Sequence, residues 1–113
     1  MIIIAFCDKT SKLLPRLLCG KMKHTAPIGV YQDRLILYQF VKYGLTEKIQ
    51  LNIRDLQILQ RNGWRFIYIT GDLPHNFDKE KAHTCVQLSK AAIGIKNWQI
   101  QTPNSLYKHL LNK

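Results

Sequence analysis

The sequence has no apolar run long enough for a membrane-spanning helix: its opening stretch, Met1 to Phe6, is about a third of the roughly 20 residues that a span requires. No basic segment precedes that stretch and no small-residue cleavage site follows it, so it reads as a buried first strand and not as a secretory leader. Cysteine is sparse and odd in number. Cys7, Cys19 and Cys85 fall in no paired short spacing, which argues against a disulfide-stapled scaffold and leaves thiols as the expectation, with a zinc site from His83, Cys85 and distant partners as an alternative that lacks the usual ligand spacing. Runs of Gly, Pro, Ser or like charge are also missing, so no linker or low-complexity tail is marked. With 113 residues and 46% hydrophobic content, one domain spanning residues 1–113 is expected.

Acidic residues are the other shortage. There are 7 Asp and Glu against 17 Lys and Arg, a formal net charge of +10. Such a surface suits polyanionic surroundings: nucleic acid, anionic lipid or cell-wall polymer. The bases are scattered much as a solvated surface scatters them, apart from Lys9, Lys12, Arg16, Lys21 and Lys23 against Asp8 near the start. No aromatic-rich stacking motif or glycine loop supports specific nucleic-acid recognition.

What is present is an alternation of strand and helix patterns. Ile2 to Phe6 reads as a strand, and Ser11 to Leu18 as a short helix limited by Pro15. His24, Ala26, Ile28 and Val30 share one parity of a second strand, with Pro27 suggesting an edge or a bulge. Gln32-Asp33 turns the chain into a strand from Leu35 to Val41, which completes a hairpin. Asn52 caps a helix carrying Ile53, Leu56 and Leu59 and ending at Gly63. A strand from Trp64 to Thr70 follows. Thr84 to Gln87 has the spacing of a capping box, so Cys85 opens a helix that stops at Gly94, with Leu88, Ala91, Ala92 and Ile95 as its apolar stripe. Thr102-Pro103 starts a last helix with Leu106, Leu110 and Leu111. The resulting class is α+β, an antiparallel sheet with packed helices.

Two residues carry the chemical interest. A thiol in the first turn of a helix feels the unpaired N–H groups and positive end of the dipole, which favour the thiolate and can hold an oxyanion. A buried inert cysteine is the commoner outcome for such a residue on physics alone. His24 on a strand's inner face is either a hydrogen-bonded core histidine or a general base. Together, a helix-opening thiol and a sheet histidine are the constellation in which imidazole takes the thiol proton and later protonates the leaving group.

The segments Lys23-His24-Thr25-Ala26-Pro27-Ile28-Gly29-Val30-Tyr31, Thr84 to Ile95 around Cys85, and Thr102-Pro103-Asn104-Ser105-Leu106-Tyr107 resemble circularly permuted members of the NlpC-type, papain-like cysteine hydrolase superfamily, in which the histidine strand precedes the cysteine helix. Chain order leaves such a site unchanged, because its geometry defines it. The resemblance implies a permuted papain-like fold and a thiol hydrolase or transferase acting on an amide or ester through a Cys85 thioester, with His24 as base. It implies peptide, peptidoglycan or lipid-ester substrates and no cofactor or metal. Without a leader, a cytoplasmic or phage-associated location is expected. The chain departs from the pattern at Thr84, where relatives often have Asn, and on the strand after His24, where they often have an acid or a second histidine. Gln39 there can fix the imidazole tautomer, with Tyr38 as the alternative on the opposite parity. His83 can flank the site or touch substrate, because positions two apart on a helix do not face each other. Cys7 and Cys19 read as packing residues. The competing function is an inactive basic module that binds nucleic acid or builds part of a particle such as a phage.

Overall fold

The computed structural model describes residues 1–7, 24–74, 77 and 81–112. The helix expected over Ser11–Leu18, and Cys19, lie outside the described residues. The chain is mixed α+β: a five-stranded antiparallel sheet of order β4-β3-β2-β1-β5 with three helices among the described residues. The strands are β1 (Ile2–Cys7), β2 (His24–Val30), β3 (Leu35–Lys42), β4 (Leu45–Leu51) and β5 (Trp64–Ile69). The helices are α1 (Ile53–Arg61), α2 (Cys85–Ile93) and α3 (Pro103–Leu111).

The apolar opening run becomes β1, which is paired along its whole length with β2 on one side and β5 on the other. All six of its residues are buried, which is why both parities are apolar. Side chains alternate between the two faces. Ile2, Ile4 and Phe6 project into a cluster with Val86 of α2 and Leu106 and Leu110 of α3, and Cys85 packs against it. Ile3 and Ala5 project the other way, with Ala26, Ile28 and Leu37, against Leu56 of α1, Trp64 and Phe66.

Two features differ from the sequence pattern. Pro27 pointed to an edge strand or a bulge, yet β2 is interior, between β1 and β3. The proline is accommodated because the ladder to β3 covers only Ile28–Val30 and stops at the residue after it, where the missing N–H is not needed. Strand β4 had no counterpart in the sequence reading. It is an edge strand of mostly exposed residues, entered through Gly44 at φ +73° and pinned by its register against β3. Glu47 and Lys48 keep that edge polar and mask its alternation.

The helix caps follow the sequence closely. Asn52 and Asp55 complete a reciprocal box on α1, and Thr102 and Ser105 complete one on α3. On α2, Thr84 Oγ1 accepts from the Gln87 N–H, but the Gln87 side chain reaches past the cap to accept from the His83 N–H at 2.7 Å. Gly94 ends α2 in the left-handed region at φ +74°. In the expected stripe of α2, Leu88 and Ala92 are buried beside Tyr38 and Phe77, with Ala91 partly so. Ile95, beyond the cap, joins the cluster under α3 instead. Lys90 is buried as well: its ammonium donates to the carbonyls of Asn97 and Ile100 and so ties down the segment leading to α3.

Candidate functional site

His24 opens β2 and is 4% exposed. By alternation it shares the face of Ala26 and Ile28, and its register partner on β1 is Cys7, whose own partner on β5 is Trp64. The Trp64 ring meets the imidazole edge-on, with centroids 5.8 Å apart. Gln39 lies on the same side, one parity with Leu37, and its amide reaches the imidazole: Nε2 is 3.1 Å and Oε1 3.4 Å from His24 Nε2. The contact anticipated between these two polar groups on apolar strand faces is therefore present. With the ring proton on Nδ1, His24 accepts from the amide N–H. With it on Nε2, the ring donates to Oε1 and Nδ1 becomes the basic atom. Tyr38, on the opposite parity, instead exchanges a 2.9 Å hydrogen bond with the Tyr31 hydroxyl and packs edge-on against Phe77.

Cys85 opens α2 as its first helical residue, half-buried, and is not part of a disulfide. The direction of α2 follows from three contacts. Ser89 bonds Thr25 at 3.2 Å, Ala92 packs in the cluster that includes Leu73 and Ile36, and His83, just before the helix, stacks on Tyr43 in the turn after β3 at 4.2 Å between ring centroids. The N-terminus of α2 thus lies at the end of the sheet where β2 begins and β3 ends, the same end as His24 and Gln39. Thr25 faces α2, so the neighbouring His24 ring issues from the other face of β2. Cys85 and His24 flank the start of β2 from two sides.

Burial pushes the His24 imidazole below its ordinary pKa, and its hydrogen bond to the Gln39 side chain opposes that shift in part. The neutral ring, the form a general base needs, is accordingly the one favoured at neutral pH. The same shift has a stability consequence. An imidazole held below its unfolded value of about 6.5 means that, as pH falls through that value, the unfolded chain takes up a proton that the native chain refuses. Stability is full above that range and declines toward the folded value, at no more than about 1.4 kcal/mol per pH unit from this group. Denaturant midpoints measured between pH 8 and pH 5 should show this decline and a shallower one in His24→Asn. An identical slope in the two proteins would assign the decline to other groups.

Several residues near this end were not singled out from the sequence as part of a site. Trp64 was legible only as a strand residue, and Thr25 and Ser89 only as a strand parity position and a helical one. Their involvement depends on strand register and on the seating of α2, neither of which local spacing encodes. His83, the expected flank residue, stands at the start of α2 on the Tyr43 ring. Among the described residues, no group of three or more His, Cys, Asp or Glu side chains converges to hold a metal ion, and no helix is long and apolar enough to cross a membrane. No protein-family model matches the chain, and no curated protein or solved structure matches it.

Proposed function

We propose that the chain is a thiol-dependent hydrolase or transferase of the permuted papain-like type, acting on an amide or ester bond. The observation that carries this reading is the shared position of the α2 N-terminus, bearing Cys85, and the His24–Gln39 pair at one end of the sheet. In the reaction, Nδ1 of His24 takes the Cys85 proton while Gln39 Oε1 holds the Nε2–H. The thiolate adds to the substrate carbonyl, and the developing oxyanion lies toward the first-turn N–H groups of α2. Collapse breaks the bond to the amine or alcohol, which leaves with the proton from His24, and the thioester remains on Cys85. Water, deprotonated by His24, then releases the acid and restores the thiol. Peptides, peptidoglycan peptides and lipid esters are the substrate classes, and the basic surface favours substrates set among anionic groups.

A second reading is a basic binding module that keeps this scaffold without catalysis. It is favoured by one observation, the projection of the His24 ring from the sheet face opposite the one that Thr25 turns toward α2. Thiol alkylation separates the two. In the enzyme, iodoacetamide labels Cys85 selectively near neutral pH, and His24→Asn slows that labelling about tenfold, the change in thiolate fraction for one pKa unit. Equal, sluggish labelling of all cysteines, indifferent to His24, marks the binding module.

A further inference from the structure

We infer that the buried hydroxyl pair Thr25–Ser89 is the positioning device that sets Cys85 against His24, an inference that rests on the catalytic reading above. Thr25 immediately follows His24 on β2, and Ser89 lies one helical turn beyond Cys85 on α2. Their oxygens are 3.2 Å apart, and the two residues are 1% and 0% exposed. Each hydroxyl is therefore one short step of rigid backbone from one member of the proposed pair. The apolar side chains of the same seam, Leu88 and Ala92 of α2 and Tyr38 of β3, attract without direction and tolerate sliding.

A hydrogen bond does not tolerate it. A slip of about 1 Å along the strand takes the two oxygens past bonding distance and leaves two buried hydroxyls without acceptors. Removing both hydroxyls together is close to neutral for folding, so stability alone gives no reason for a polar pair in this seam. Its effect is to penalise every alignment of α2 on β2 except one, the use for which buried polar pairs are best attested. That alignment matters because reacting groups misplaced by about 1 Å lose up to a hundredfold in rate. Thr25 works from the α2 face of β2, which leaves the opposite face to the His24 ring. Neither hydroxyl is assigned contact with substrate; both act through Cys85 and His24.

The test reads the pH profile of Cys85 alkylation by iodoacetamide in the full chain, followed by peptide mass spectrometry. The variants are His24→Asn, the double replacement Thr25→Val with Ser89→Ala, the single Ser89→Ala, and the conservative Thr25→Ser. The expected result is that the double variant unfolds cooperatively but labels Cys85 near neutral pH about tenfold more slowly than wild type, close to His24→Asn. Ser89→Ala moves the same way, and Thr25→Ser, which keeps the hydroxyl, retains the wild-type profile. A wild-type profile in the double variant or in Ser89→Ala, with His24→Asn still slowed, overturns the positioning role and leaves the catalytic reading standing. If His24→Asn itself labels like wild type, the catalytic reading falls and the positioning role falls with it.

Discussion

On the proposed mechanism, Cys85→Ala abolishes turnover of an activated ester such as a p-nitrophenyl alkanoate, by at least a factor of about a thousand, because it removes the group proposed to carry the acyl intermediate. The wild-type protein should release a burst of about one nitrophenolate per chain before its steady state, since acyl transfer to a thiolate precedes a slower hydrolysis of the thioester. Mass spectrometry of the trapped protein should place the acyl group on the peptide containing Cys85. Gln39→Ala should cost far less, about tenfold, because the amide orients an imidazole that retains its base without it. Turnover surviving in Cys85→Ala, or an acyl group found on another residue, would remove Cys85 from the mechanism. Unchanged turnover in Gln39→Ala would remove Gln39 alone.

The largest effect on folding is expected from Phe6→Ala. Phe6 is fully buried in the cluster between β1, α2 and α3, and its ring meets Tyr107 of α3 edge-on with centroids 5.1 Å apart. Truncating a buried phenyl ring in such a site costs about 3–5 kcal/mol, from lost transfer energy and from the cavity left behind. Total stabilities of domains are about 5–15 kcal/mol, so this one change removes a large share. With a urea dependence of about 1.5 kcal/mol per molar, the midpoint should fall by about 2–3 M. Val41→Ala, on a residue 49% exposed, should barely move it. A Phe6→Ala midpoint within error of wild type would mean that this cluster does not hold α3 to the sheet.

Most of the fold was legible because its signals are local. The unbroken apolar run of β1, the parity of β2, the Asn52, Thr84 and Thr102 caps and the Gly94 stop each depend on a few neighbouring residues, and each is found where the pattern put it. Strand β4 was hidden because an edge strand needs no apolar face, and Glu47 and Lys48 sit where an inner strand would be apolar. The interior position of β2 was hidden because Pro27 is an edge signal unless the neighbouring ladder stops beside it. At the candidate site, the His24–Gln39 contact followed from two parities. The Trp64 contact and the Thr25–Ser89 bond depended on which strands pair and where α2 lies, and those are properties of the assembled sheet.

The short ladder between β2 and β3 gives the sheet an uneven resistance to opening. Strand β1 is held by main-chain pairing on both sides over all six residues, so its amides exchange with solvent only when most of the domain opens. From Pro27 back to His24 no main-chain rungs join β2 to β3, and the His24–Gln39 side-chain contact is what spans the gap. That stretch is nonetheless buried and paired residue for residue with β1, so the main-chain pairing that holds it is with β1 alone. Its pairing therefore opens only when β1 itself opens, which ties the first residue of β2 to the most protected strand of the sheet.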